Sequence, residues 1–509
     1  MTAPRIDCYS LPVAAVSRLA TLPVGKLTPV LAGEANVAPF TALDSFDQFL
    51  RRSNRLLLEV NTSFELLSDD NLPLSQTVKG KVRFVSNFPN GPVMRALAGL
   101  SPLRSLQPVG SGERHQATLA FVDDNGKTHC RAHLMQATTQ QGLAASWVAL
   151  REIKGYGESL NALREHIRGL GGTTFRCEGL YEQLFPTHAA YNAKPKIIIA
   201  SDETAFDAAN SIISTYIPIL RACEHGIIAD HDTEFLHDYR IRLRKIRSVL
   251  SLFKGVYDDA QTADLKARLF RLAAPTGRLR DLDVYLLGKQ GYYDLLPTSL
   301  HGGLDTLFGV FAAQRISEKA KLSRHLRSPA YQQEITYLAK RYARPQGIKR
   351  GINADLPAHD YACSQIWKRY RTVCKVATRI SSLTPDAEIH ELRIHCKNLR
   401  YLMEFFAPVF PKQAFKSLLK PLKRLQDNLG LFNDYSVQQE SLGAFLVTLG
   451  KNRHGEDLEV AQSIGALIAV LHSRQLEERA KVVKSFGRFN HPKTQRTFNE
   501  LFQPSKDDL

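Results

Sequence analysis

The strongest constraint on this chain is a repeat inside it. His237-Asp-Tyr-Arg240-Ile-Arg-Leu-Arg244-Lys-Ile-Arg247 recurs as His390-Glu-Leu-Arg393-Ile-His-Cys-Lys397-Asn-Leu-Arg400, an offset of 153 residues. At the same offset Phe253 meets Phe406, Leu265 meets Leu418, Leu269 meets Leu422 and Arg271 meets Arg424. Gly277, Asp281 and Val284 then meet Gly430, Asp434 and Val437. An offset that holds without insertion implies two copies of one structural unit. The copies are expected to pack about a pseudo-twofold axis, each covering what the other leaves open.

The repeated unit is helical. From about residue 203 apolar positions recur every three to four residues, as in Phe206, Ala209, Ile213, Tyr216, Ile217 and Leu220. Breaks fall at Pro275–Gly277, Gly288–Pro297, Pro345–Pro357, Pro408–Pro411 and Lys451–Gly455. Residues 203–490 therefore read as an all-α domain of bundle type, with halves at about 203–345 and 356–490 and a tail over 491–509. Residues 1–190 read as a separate α+β domain, joined by a linker over 191–202. Its strand-like segments are Gln76–Val85, Gln116–Val122, Thr128–Gln136 and Trp147–Gly155. Asp123-Asp124-Asn125-Gly126 supplies a hairpin turn, and Ser159–Leu170 a helix stopped by Gly171-Gly172.

Composition narrows the function. Hydrophobic residues are 44% and charged residues 23% of 509, the balance of a globular multidomain chain. No apolar run approaches the ~18 residues that span a bilayer, and no secretory leader is read at the start. The seven cysteines are scattered without a C-x-x-C spacing, which argues against a disulfide framework or a zinc site and fits a reducing cytosol. The net charge of +17 reads either as a surface for a polyanion, whether nucleic acid, an anionic membrane or a phosphate polymer, or as a solvated basic surface kept for solubility.

Helical geometry gives that charge a place. At about 100° per residue, His237, Arg240, Arg244 and Arg247 share an arc of about 80°, while Leu243, Ile246 and Leu250 point elsewhere. His390, Arg393, Lys397 and Arg400 repeat the arrangement. Like charges at this spacing repel, and neither Asp238 nor Glu391 lies on the arc to relieve them. A single charged helix face is ordinarily a solvent face; two equivalent ones make sense if an anion lies before them. The histidines read either as phosphate ligands or as hydrogen-bonded packing residues. Lys416, Lys420 and Lys423 form a further basic face, which the first half lacks, and Arg271 and Arg424 are duplicated. Asp281 and Asp434, each placed near a helix start, read as caps or arginine partners.

These paired motifs, with Arg280-Asp281-Leu282-Asp283-Val284 and Leu425-Gln426-Asp427-Asn428-Leu429-Gly430 followed by Asn433-Asp434, resemble the two halves of a CHAD domain, the conserved histidine α-helical domain. The resemblance covers about residues 200–490. It implies two pseudo-symmetric four-helix bundles facing each other across a basic cavity. It also implies binding of inorganic polyphosphate and attachment to polyphosphate granules. The family's basic positions map to His237, Arg240, Arg244, Arg247, His390, Arg393, Lys397 and Arg400. Departures are Asn398 opposite Lys245, and Lys397 where arginine is also common. The N-terminal part is similar to a CYTH domain, the fold of triphosphate tunnel enzymes, through Asp44-Ser-Phe-Asp47-Gln-Phe-Leu50 and Leu150-Arg-Glu152-Ile-Lys154-Gly155. It lacks that family's early E-x-E-x-K motif, so a degenerate, non-catalytic CYTH-like fold is expected.

Three functions compete. The first is non-catalytic capture of polyphosphate, with no cofactor and no metal and with Arg271, Lys416, Lys420, Lys423 and Arg424 as a secondary surface. The second is a metal-dependent inorganic triphosphatase, which would need several inward carboxylates. The third is nucleic-acid binding by the basic helices, whose arcs carry few aromatics for stacking. No P-loop, G-x-S-x-G or H-E-x-x-H motif is present. A cytoplasmic location, associated with polyphosphate granules and away from membranes, follows from the first reading.

Overall fold

A computed structural model describes residues 7–69, 73–188, 191–192, 195–200, 202–381, 383–449 and 456–503. The chain divides into two units, Met1–Lys194 and Pro195–Leu509.

The first unit is a curled, ten-stranded, wholly antiparallel sheet. Its strands are β1 (Asp7–Leu11), β2 (Thr28–Leu31), β3 (Asn36–Ser45), β4 (Arg55–Val60), β5 (Ser63–Ser68), β6 (Leu74–Thr77), β7 (Leu106–Val122), β8 (Thr128–Thr139), β9 (Ala144–Glu152) and β10 (Thr173–Thr174). They run in the order β10-β1-β9-β8-β7-β3-β4-β5-β6, with β2 also on β7. Five helices accompany them: α1 (Val16–Thr21), α2 (Phe49–Arg52), α3 (Pro92–Ala96), α4 (Gly157–Gly169) and α5 (Cys177–Leu184). Period-two alternation sorts the core. In β9, Ala145, Trp147 and Ala149 face α5, while Val148 and Leu150 face α1 and α4. One face, from β1 to β5, is a single apolar layer that includes Phe40, Leu56, Leu58 and Trp147.

The Asn125-Gly126 turn joins β7 to β8, with Gly126 at φ +74°. The expected strand over Gln76–Val85 is corrected to the short β6. Gly80 at φ +91° ends the extended run, and residues 85–87 form a 3-10 turn. The Gln76 amide is drawn out of the sheet to bond Val93 N at 3.0 Å and Pro89 O at 2.8 Å.

The second unit is helical: α6 (Ala205–Ala222), α7 (Glu224–Ala229), α8 (Thr233–Leu252), α9 (Asp259–Ala273), α10 (Gly277–Leu287), α11 (Lys289–Tyr293), α12 (His301–Arg327), α13 (Pro329–Ala343), α14 (Ala358–Ala377), α15 (Asp386–Phe406), α16 (Lys412–Leu449), α17 (Glu456–Phe489) and α18 (Pro492–Phe502). The offset of 153 carries the start of α6 onto α14, of α8 onto α15 and of α9 onto α16. Two four-helix units result. In the first the third helix is broken at Pro275 into α9 and α10; its counterpart, Asn428, lets α16 run unbroken. Residues 491–509, set apart above as a tail, include α18, whose Phe498 and Phe502 are buried and packed on Tyr370 and Phe415.

Equivalent residues of the two halves touch each other, which fixes an approximate twofold axis. Thr204 bridges Pro357. Ala205 N donates to Leu356 O at 2.8 Å, and Ala358 N donates to Glu203 O at 2.9 Å. Phe253 stacks on Phe406 with ring centroids 4.9 Å apart. Both rings are fully buried, so Phe406→Ala should cost about 3–5 kcal/mol through the cavity it leaves on the axis. Chemical denaturation followed by helical circular dichroism measures this, and a loss under about 1 kcal/mol would show that the halves do not depend on that stack.

Candidate functional site

The apolar side of α8 decides where its cations go. Leu243, Ile246 and Leu250 are buried, so the opposite arc faces the second half. Asp232 caps the helix by accepting from the Glu234 and Phe235 amides. His237, Arg240, Arg244 and Arg247 line a cavity of about 640 Å³, together with Arg393 from α15. Arg393, Lys397 and Arg400 line an adjoining cavity of about 200 Å³, together with Arg244. Arg244 and Arg393 belong to both, so the two cavities form one cationic cleft on the twofold axis. His390 is exposed at its edge and pairs through Nδ1 with Asn433 Oδ1 at 2.7 Å.

The repeated acids beside the histidines, Asp238 and Glu391, are spent elsewhere. Asp238 pairs with Arg242 at 2.7 Å, and Glu391 with His395 at 3.3 Å, each four residues along its own helix. These are equivalent pairs at the 153-residue offset. Among the described residues no carboxylate comes within ion-pair distance of Arg240, Arg244, Arg247, Arg393 or Lys397. Neutral groups hold several of them in place. Arg240 Nη1 donates to Thr276 Oγ1 at 2.5 Å, Arg247 lies over Phe270 at 5.7 Å, and Lys397 and Arg400 lie over Tyr401 at 5.9 and 5.7 Å.

The electrostatic consequence is measurable. Burial pushes the Lys397 ammonium down to about 8, helped by Arg244, Arg393, Arg400 and Arg247. Burial also lowers Arg240, reinforced by Arg244, Arg280 and Arg247 and opposed by Asp281. Asp281 and Asp434 are raised by desolvation, against the pull of Arg240 and Arg393 respectively. Neither acid caps a helix, which corrects that part of the expectation. Asp281 lies one turn inside α10 and Asp434 in the middle of α16. Both line the larger cavity.

A family model described as the CHAD domain matches residues 211–443. This region is a CHAD domain. No curated protein matches the chain. Among solved structures, the crystal structure of the CHAD domain from the plant Ricinus communis is 20% identical over 60% of this chain and 97% of that one, with a TM-score of 0.48. PptA from Streptomyces chartreusis is 14% identical over 58% of this chain and 99% of that one, with a TM-score of 0.39.

Within the CHAD domain the secondary cations stand apart from the cleft. Arg271, Lys416, Lys420, Lys423 and Arg424 are exposed and line neither cavity. Sequence reasoning missed three cleft residues. Thr276 anchors Arg240. Arg280 lines the larger cavity, and its buried Nη1 has no hydrogen-bond partner but lies 3.9 Å from Glu234 Oε1, within ion-pair distance. Gln426 lines the smaller one with neither amide atom bonded. Arg280 and Gln426 lie inside the quoted motifs, but Arg280 meets Asn433 at the repeat offset, so duplication did not flag it.

In the sheet unit, Asp44 closes a turn. Its carboxylate accepts from the Ser45, Leu50 and Arg51 amides at 2.7, 2.9 and 2.9 Å. Glu152 is exposed at the end of β9. The sheet is compatible with a CYTH-like fold, and the face under α5 is an apolar layer. Among the described residues no three His, Cys, Asp or Glu side chains group to hold a metal ion, and no helix is long and apolar enough to cross a membrane.

The lowered Lys397 sets a pH signature for the unliganded protein. Between about 8 and the ordinary lysine range, the unfolded chain holds a proton that the folded one has released, so stability rises with pH there. Lys397→Met should remove that rise and stabilise the protein at pH 7. Melting temperatures of both forms at pH 7 and 9.5 test this; parallel behaviour would show that the cleft does not strain this lysine.

Proposed function

We propose that the CHAD domain binds inorganic polyphosphate in the cationic cleft, without chemistry, and that this attaches the protein to polyphosphate granules in the cytoplasm. The observation that carries the reading is that, among the described residues, no carboxylate lies within ion-pair distance of Arg240, Arg244, Arg247, Arg393 or Lys397, the five cations gathered on the twofold axis. An anionic polymer supplies that charge through many short, charge-assisted hydrogen bonds. The unbonded Gln426 amide and Arg280 Nη1 add donors that phosphate oxygens satisfy. A repeated, approximately symmetric set of donors suits a ligand that is itself a repeat.

Affinity should fall steeply with salt, by roughly 10³-fold between about 50 and 200 mM, because each neutralised phosphate releases a counterion. Replacing Arg240, Arg244, Arg393 and Lys397 together by Ala should abolish binding with helix content intact. Titration of defined polyphosphate against both forms decides the matter. A flat salt response, or wild-type affinity in the quadruple variant, would place the site elsewhere, with Lys416, Lys420 and Lys423 next to examine.

The reading of the sheet unit as non-catalytic rests on its apolar face. The full-length protein should not release phosphate from triphosphate with Mg²⁺ or Mn²⁺. Turnover that disappears on Glu152→Gln would revive the triphosphatase alternative.

A further inference from the structure

A second unpaired cationic surface lies on α14, away from the cleft. Ser364, Trp367, Lys368, Arg371, Thr372 and Lys375 line a groove of about 540 Å³ along this single helix. Their spacing of three and four residues puts them on one face, about 17 Å long at 1.5 Å per residue. Lys368, Arg371 and Lys375 are exposed, and Trp367 is partly so. From Tyr361 to Arg379 the sequence contains no Asp or Glu. Among the described residues none of these cations forms an ion pair. Arg369, on a different side, is occupied by His395 at 3.2 Å.

The fold does not require this face. At the repeat offset, Trp367, Arg371 and Lys375 correspond to Ser214, Pro218 and Ala222 of α6. The stripe is therefore an addition to one half, not part of the shared helical unit. Its composition also differs from the cleft. The indole rests on Tyr370, ring centroids 5.8 Å apart, which fixes its plane beside the cations. A flat aromatic face among cations suits a polymer that carries both phosphates and bases. Inorganic polyphosphate has no group that stacks.

We propose that this face of α14 binds single-stranded RNA, independently of the polyphosphate cleft. Lys368, Arg371 and Lys375 take successive phosphates, and Trp367 stacks on a base. Ser364 and Thr372 place hydroxyl oxygens within the same stripe, where a ribose 2′-hydroxyl can meet them.

The chain has two tryptophans, and Trp147 is 2% exposed inside the sheet core. Intrinsic fluorescence quenching by an added ligand therefore reports Trp367. A short oligouridylate should quench it saturably in the full-length protein. Trp367→Ala should weaken RNA binding about tenfold, the effect of losing one stacked base, and R371E/K375E should remove it. The Arg240/Arg244/Arg393/Lys397 alanine variant should bind RNA as wild type does, which separates this proposal from the cleft reading. The matching deoxyoligonucleotide should bind more weakly. Absence of quenching, or RNA affinity unchanged in Trp367→Ala, would overturn the proposal. Equal affinity for the deoxyoligonucleotide would overturn the assignment to RNA. Polyphosphate or polyglutamate of matched charge that depends on Trp367 as strongly as RNA does would reduce the stripe to charge alone and overturn it as well.

Discussion

Like charge facing like charge across the twofold axis is the interaction on which the rest of the helical domain turns. Arg244 and Lys397 are equivalent residues, and Arg244 is the charged neighbour that most depresses Lys397. A symmetric dimer-like packing of two identical basic faces cannot avoid this, because whatever one half presents at the axis the other presents too. The repulsion costs stability in the free protein. It is tolerated because stability is secured elsewhere on the same axis, by the buried Phe253–Phe406 stack and the reciprocal backbone bonds between residues 203–205 and 356–358. Apolar contacts hold the halves together, and the cations are left with unmatched field.

The off-arc pairs show how that field is kept. Asp238 and Glu391 stand next to the histidines in sequence, yet each is turned to a base four residues on, Arg242 or His395. A shift of one residue toward the arc would place a carboxylate against Arg240 or Arg393 and partly cancel the cleft. Neutral supports, Thr276 and Tyr401, hold arginines and Lys397 without neutralising them. On the proposed function, binding of a polyanion and protonation of Lys397 would be linked: an anion would favour the charged form, and a proton would be taken up on binding near pH 8.

The helical half of this description was legible because duplication is a strong signal. Two motifs at one offset identified the arcs, and the offset itself anticipated element starts that coincide at α6/α14, α8/α15 and α9/α16. What the sequence hid is what the repeat does not share. Asp281 looked like a cap because Pro275 and Gly277 precede it, whereas its partner Asp434 sits where Asn428 keeps the helix running. In the sheet unit no repeat exists to help. Strands β1 to β5 escaped notice because most are short, and the turns from β3 to β5 use Gln48, Asn54 and Asn61 at positive φ rather than glycine. Strand β7 begins ten residues early because Gly110 and Gly112 sit inside it. At Gly112 a Cβ would lie 2.0 Å from the Thr138 carbonyl oxygen, so this glycine is a close-approach residue and not a turn.

Divergence between the halves also separates what the fold needs from what has been added. Phe253 and Phe406 are the same residue, and Arg240 and Arg393 are as well; changing either member alters packing or the cleft on both sides of the axis. Pro275 against Asn428, Arg280 against Asn433 and the α14 stripe against the apolar α6 differ freely. The first difference bends one helix, and the second gives the cleft an extra cation on one side only. The two ends of the cleft are therefore unequal: Arg280, Asp281 and Asp434 line the larger cavity, and Lys397, Arg400 and Gln426 the smaller one. The approximate symmetry makes the cleft cationic along its length, and the departures from it make the two ends distinguishable.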